Sequence, residues 1–295
     1  MKNNISLSII IPHKNIPELL TRCLNSIPNM ESIEIIVVDD NSSNICEENF
    51  PGISRQNVKV FFSKKNITAG GARNIGLRYA TGDWVLFADA DDFFNDGFHE
   101  TIQSYFDSNN DVIYFGLNSK ISESLVVSSR EGDINNLLKK AESECKESEY
   151  LIRYKYLYPY CKLIKLSFIR NLNLKFDEVI ASNDTMFGIK VGIYSNKVDY
   201  NSSEIYCLTL RDNSLVTCYK YENLKSRLMV SFNLFNLLRQ HNLEKYAQNS
   251  FGHLLQIRKV SYFKMLTDIA FLFKGLPIIV IIRQVYQVFK NFIKK

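Results

Sequence analysis

The sequence predicts an α/β protein: a mostly parallel sheet with helices on both faces, followed by a helical extension. Three observations carry this. Over the first 117 residues, short apolar runs rich in β-branched side chains alternate with segments of helical spacing. Acidic residues cluster where two of those runs end. The last 75 or so residues carry helical spacing throughout.

The elements follow in order. Residues 5–12 (ISLSIIIP) form an apolar run closed by proline, a buried strand. Residues 16–27 place Leu19, Leu20, Cys23, Leu24 and Ile27 at helical spacing. Residues 34–40 (EIIVVDD) and 57–63 (NVKVFFS) read as the second and third strands. Residues 69–80 read as a helix with Thr68 as N-cap and Gly82 just past the end. Residues 84–89 (WVLFAD) are a fourth strand; a helix near 97–106 and a strand at 111–117 follow. The middle, 118–216, is mixed. It holds a polar, helix-containing insertion at 128–149, a tyrosine-rich stretch from Tyr150 to Tyr160, a helix at 184–194 and a strand at 204–211. Residues 221–240 read as helix. The expected division is a sheet domain at 1–216 and a helical region at 217–295.

A hydrophobic fraction of 46% beside 23% charged residues fits a packed globular chain and excludes a disordered one. The net charge of +5 is uneven. Residues 254–295 carry eight Lys/Arg against one acid, +7, which leaves −2 for the preceding 253 residues. The basicity belongs to the tail, so no nucleic-acid partner is expected. Six scattered cysteines without CxxC spacing read as reduced thiols. The first residues lack the pattern of a signal peptide. Together these predict a cytoplasmic protein.

In parallel sheets ligands bind beyond the carboxyl ends of the strands. Asp39-Asp40 end the second strand and Asp89-Ala90-Asp91-Asp92 follow the fourth. Two carboxylates one residue apart in a tight turn can converge on one hard divalent cation, Mg²⁺ or Mn²⁺. Such an ion is shared with substrate phosphates and neutralises charge on a departing diphosphate. The plainer reading of the same acids is a polar turn between a strand and a helix.

Four blocks stand in order: Ile9-Ile10-Ile11-Pro12, Val38-Asp39-Asp40-Asn41-Ser42, Ala72-Arg73-Asn74-Ile75-Gly76 and Gly82 to Asp92. Together they resemble the family-2 glycosyltransferases of the GT-A fold, a Rossmann-like, mostly parallel sheet covered on both faces. That resemblance implies an inverting enzyme that takes a nucleotide-sugar donor, most naturally a UDP-sugar, with a divalent cation. By the same resemblance Asp40 bonds the nucleobase, Asp89 meets the ribose or the metal shell, and Asp91 ligates the metal. Pro12 and the following His13 and Lys14 form the base-binding wall; Lys14 stands where an aromatic is frequent and could instead reach a phosphate. Arg73 faces the diphosphate or holds its own helix.

Sugar transfer with inversion needs a carboxylate to take the acceptor's proton. Ala181-Ser182-Asn183-Asp184-Thr185-Met186-Phe187 resembles the family's Glu-Asp-x-x-Phe block, which puts Asp184 at the base position with Asn183 in place of Glu. The alternative for Asp184 is a helix N-cap. Residues 159–164 resemble the family's x-x-x-Lys-Leu element. Residues 208–215 (LTLRDNSL) resemble its Arg-x-x-Ser strand, so that Arg211 or Ser214 lines the diphosphate. His13, at the nucleotide edge, is the one histidine of four with a suggestive place. The tyrosines could stack on a sugar acceptor or simply pack.

From Pro277 onward Ile278, Ile281, Ile282, Val285, Val288, Phe289, Phe292 and Ile293 share one helical face, with Arg283 and Lys290 largely opposite. No apolar run reaches the ~18–20 residues that span a bilayer. The segment 277–295 suits an interfacial helix on the cytoplasmic face of the inner membrane; packing on the domain or a homodimer contact is the alternative. The expected partners are therefore a nucleotide-sugar donor, a glycan or lipid-linked acceptor in surface polysaccharide or lipopolysaccharide synthesis, and a membrane surface. A sugar-phosphate nucleotidyltransferase needs a glycine-rich loop after the first strand, which 12–17 lacks. A non-catalytic nucleotide-sugar-binding or scaffold protein has no need of Asp40, Asp89, Asp91 and Asp184 together.

Overall fold

A computed structural model describes residues 5–43, 46–211, 220–247, 251–275 and 282. Ser214 and the 277–295 pattern, apart from Ile282, lie outside the described residues. The chain forms two compact units, Met1–Glu178 with Phe187–Asp212, and Val179–Met186 with Asn213–Lys295.

The first unit is built on an eight-stranded sheet. Its strands are β1 (Leu7–His13), β2 (Ile33–Asp39), β3 (Val58–Phe62), β4 (Trp84–Phe87), β5 (Phe93–Phe94), β6 (Val112–Ile121), β7 (Lys162–Lys165) and β8 (Val198–Leu210). The spatial order is β3-β2-β1-β4-β7-β6-β8-β5. β1 runs parallel to β2 and β4, β2 to β3, and β6 to β8; β7 is antiparallel to both neighbours, and β5 to β8. Every residue of β1, β2 and β4 is buried, which is why these strands read as unbroken apolar runs.

Helices α1 (Pro17–Asn25), α2 (Thr68–Tyr79), α3 (Phe98–Gln103), α4 (Ile134–Glu142), α5 (Lys146–Lys155) and α6 (Leu166–Asn171) connect them. α2 lies close on β1: a Cβ at Gly76 would sit 2.4 Å from a methyl of Ile10. Helix α7 (Thr185–Tyr194) follows Asp184.

Three readings change in detail. β8 extends to residue 198, because Val198 to Asn201 pair along β6 ahead of a bulge at Ser202 and Ser203. The short strands β5 and β7 are additions to the expected set; at two and four residues they carry too little pattern to be read. Thr68 is not the N-cap of α2. Ile67 holds that position without a side-chain cap of its own, and Thr68 sits at φ +65°. The Ile67 N–H is satisfied from elsewhere, by Asp40.

In the second unit α8 (Tyr221–Gln240), α9 (Phe251–Val260) and α10 (Tyr262–Gly275) form a helical assembly. Its core holds Leu224, Leu228, Phe235, Leu254, Ile257 and Met265. The segment ahead of α7 belongs here: Ser226 Oγ donates to the Ala181 carbonyl at 2.9 Å and accepts the Ala181 N–H at 3.3 Å. No helix among the described residues is long and apolar enough to cross a membrane.

Candidate active site

The carboxyl ends of β1, β2 and β4 bring the acidic blocks to one edge. At the first of these, Asp39 is fully engaged. Its Oδ1 meets His13 Nδ1 at 2.7 Å and accepts Ser42 Oγ–H at 2.6 Å, while Oδ2 accepts the Ser42 N–H at 2.9 Å. His13 is buried, and its Nε2 accepts the Ile16 N–H at 3.1 Å. That bond leaves the proton on Nδ1, facing Asp39. The His13 side chain thus points inward, and its carbonyl accepts the Asp40 N–H at 2.8 Å.

Asp40 turns toward the next loop. Its Oδ1 accepts the Ile67 N–H at 2.5 Å and its Oδ2 lies 3.3 Å from Lys14 Nζ. Lys14 also donates to Asn66 Oδ1 at 2.7 Å. Asn15, Asn41 and Thr68 all adopt positive φ around this edge. For the β-branched Thr68 that conformation is strained, a cost typical of sites where the backbone must approach a ligand.

The second acidic block begins as β4 ends. Asp89, Asp91 and Asp92 each offer a carboxylate oxygen within 4.8 Å of the others, the one such cluster among the described residues. Their environments differ sharply. Asp89 and Asp91 side chains are 33% and 24% exposed. Arg73 Nη2 donates to Asp89 Oδ1 at 2.5 Å, and Arg211 Nε to Asp91 Oδ2 at 2.7 Å. Asp92 is buried. Its Oδ1 accepts the Thr209 N–H at 2.6 Å and its Oδ2 the Tyr206 hydroxyl at 3.1 Å. Burial, reinforced by the charges of Asp91 and Asp89, pushes the Asp92 carboxyl well above the usual range despite those two bonds.

These contacts decide which acids suit a metal. Asp92 has both oxygens committed, and burial pushes its carboxyl well above the usual range. Asp89 and Asp91 reach solvent and carry two oxygens each, a donor set that suits Mg²⁺ or Mn²⁺, which take one or two carboxylates plus substrate phosphates.

The turn itself is braced by residues the sequence reading passed over. Tyr206 takes the Asp89 N–H at 2.8 Å. The Asp91 carbonyl accepts from Thr209 Oγ1 at 2.6 Å and from Arg22 Nη2 at 2.5 Å. Arg22 continues to the Ser122 carbonyl at 2.8 Å. The tyrosines belong to the same backing: Tyr158 stacks on Tyr160 at 4.3 Å and Tyr160 on Tyr206 at 5.3 Å. Lys162 is buried beneath them, donating to the Tyr156 and Tyr158 carbonyls at 2.8 and 2.5 Å. The bonds that Arg22, Tyr206 and Thr209 make to the turn join residues 69 to 118 positions apart, and no local pattern announces them.

Asp184 lies in the second unit directly ahead of α7, half-buried beside buried Asn183. Ser182 before them adopts φ +60°.

The sequence profile of glycosyl transferase family 2 matches residues 8–173. Glycosyltransferase GlyA of Streptococcus pneumoniae is 26% identical over 222 residues, covering 71% of this chain and 31% of that protein. The minor teichoic acid biosynthesis protein GgaB of Bacillus subtilis is 34% identical over 121 residues, 37% of this chain and 13% of that protein. The chain thus spans less than a third of the length of either curated relative. Among solved structures, S. aureus TarS 1-349 in complex with UDP-GlcNAc aligns with a TM-score of 0.60 at 20% identity, over 86% of this chain and 70% of that one. The profile match covers more than half of the sequence, and the architecture is that of the GT-A glycosyltransferases: this chain belongs to glycosyl transferase family 2.

Proposed function

We propose that this protein is an inverting glycosyltransferase, hexosyl or N-acetylhexosaminyl, that moves a sugar from a UDP-sugar to a glycan or lipid-linked acceptor in surface polysaccharide synthesis. One observation carries the reading: the two solvent-reaching carboxylates Asp89 and Asp91 on the turn after β4, set apart from the committed acids Asp39 and Asp92. The UDP-GlcNAc complex of TarS and the teichoic acid role in GgaB's name support the choice of donor and acceptor class.

In this reading Asp40, Lys14 and Pro12 receive the nucleobase, with His13 orienting Asp39 behind them. Asp89 and Asp91 hold the divalent cation, which when bound supplies Lewis-acid stabilisation of the departing diphosphate. Arg73 and Arg211 add positive charge beside the same phosphates. Asp184 takes the acceptor's hydroxyl proton as that oxygen bonds to the anomeric carbon, and the bond from carbon to the diphosphate oxygen breaks with UDP leaving. Residues within 1–216 carry this chemistry, and the helical region at 217–295 serves attachment at the cytoplasmic face of the membrane or in a homodimer.

The experiment is donor turnover with Mn²⁺ across UDP-, GDP- and dTDP-sugars, run on the parent and on Asp184→Asn. The variant is expected to bind UDP as the parent does and to lose transfer by on the order of 10²–10⁴-fold. Normal turnover in Asp184→Asn removes the base assignment; no turnover of any donor by the parent removes the enzyme reading.

A further inference from the structure

Helices α9 and α10 carry more apolar surface than their own core uses. Leu254, Ile257 and Met265 pack inward against Leu224, Leu228 and Phe235. That accounts for one stripe of an amphipathic pair. A second set points outward around the corner between the helices: Leu255 40%, Val260 49%, Tyr262 62%, Phe263 75% and Leu266 46% exposed. Isolated exposed apolar residues need no explanation, but this many within two helical turns either side of one corner mark an interaction surface.

Charge narrows the partner. Arg258 and Lys259 are exposed within the patch. The one acid between 251 and 275 is Asp268, and it is buried. The titratable groups that act on it are Tyr221, whose hydroxyl donates to it at 3.5 Å, and the ammonium groups of Lys225 and Lys264. Lys264 itself lies over the Tyr221 ring at 3.8 Å. The outward surface of the pair is therefore apolar and cationic, without a carboxylate. Beyond Asp268 the sequence adds Lys274, Arg283, Lys290, Lys294 and Lys295 and no acid. A second copy of this chain is a poor occupant, because a two-fold contact would set one cationic rim against another.

We infer that the α9–α10 corner docks on an anionic lipid surface. Tyr262, Phe263 and Leu266 enter the boundary between headgroups and acyl chains, and Arg258 and Lys259 sit at the level of the lipid phosphates. This deepens the membrane-attachment part of the proposed function by giving it a contact separate from the 277–295 segment.

The test is flotation of the full chain with vesicles of phosphatidylcholine alone or mixed with phosphatidylglycerol. The parent is expected to float only with the mixed vesicles, and less so as salt rises. Phe263→Ser combined with Leu266→Ser should lower the bound fraction roughly tenfold or more. Arg258→Gln should lower it about fivefold, with a similar factor for Lys259→Gln. All four substitutions fall on exposed side chains, so unchanged thermal melts confirm intact variants. Three results overturn the inference: a double variant that floats like the parent, equal binding to neutral vesicles, or a light-scattering dimer that the double variant abolishes. Flotation needs no turnover, so its failure and the failure of the donor assay are read separately.

Discussion

At the amino edge of the sheet, Glu34 accepts hydrogen bonds from Ser8 Oγ at 2.6 Å, from the Thr81 N–H at 2.5 Å and hydroxyl at 2.9 Å, and from Lys59 Nζ at 2.9 Å. At the carboxyl edge, Asp91 has one side-chain partner in Arg211 and keeps a quarter of its surface in solvent. Glu34 lies at the start of buried β2, and Asp91 on the turn that follows buried β4. Glu34 is saturated by donors on three neighbouring segments and ties the strand starts together. Asp91 shares its carboxylate between Arg211 and solvent, which leaves coordinating capacity. The difference teaches that saturation, rather than the presence of an acid, separates the acids that hold the sheet from those that act.

The largest effect expected from this comparison is on activity. Asp91→Ala should lower kcat/KM for donor turnover by on the order of 10³-fold, several kcal/mol of charge stabilisation. Its melting temperature should hold or rise, because a like charge beside buried Asp92 is gone. A calorimetric trace with unchanged Mn²⁺-dependent UDP affinity would break the comparison at this edge.

Next comes Glu34→Gln, expected to cost about 2 kcal/mol of stability at neutral pH while turnover at low temperature stays intact. Burial pushes the Glu34 carboxyl up, but the bonds from Ser8, Thr81 and Lys59 outweigh it and hold the group below its ordinary 4.5. A depressed folded-state value means the stabilisation is present above 4.5 and is lost as pH falls through the lower folded value. Urea unfolding of the two proteins should therefore differ most near neutrality and converge in acid. A gap independent of pH would mean that packing, not charge, does the work.

Smallest is Tyr206→Phe. Removing the hydroxyl strips the Asp89 N–H of its acceptor and Asp92 of one donor, about 1 kcal/mol. A few-fold weaker Mn²⁺-dependent donor binding with kcat nearly unchanged would sharpen the picture of a positioned turn; an identical binding curve would show that the turn holds its shape without Tyr206.

What the sequence made legible follows from how local each signal is. Buried parallel strands such as β1 and β2 are apolar end to end, so Ile9–Pro12 and Val38–Asp40 announce both the strand and the edge where it stops. The Asp89-x-Asp91 spacing is equally local. By contrast Arg22, Tyr206 and Thr209 act on the turn from 69 to 118 residues away, through contacts set by the sheet order β6-β8-β5. Asp92 was visible as the third acid in the run, but its opposite character comes from burial that only the fold creates. Thr68 resembles a helix cap because a hydroxyl before an apolar-periodic segment commonly is one; here Ile67 is the N-cap, and its own N–H is accepted by Asp40, 27 residues before it.

The brace behind Asp89–Asp92 bears on how such a protein can be altered. Surface connections normally accept inserted or deleted residues with little penalty. This one is fastened to β8 at Tyr206 and Thr209, to α1 through Arg22 and to β5 immediately after it. Lengthening it by a single amino acid would throw several fastenings out of step at once. Variation in donor or acceptor preference therefore has to be written into the neighbouring loops, around a hinge-less element whose length is fixed.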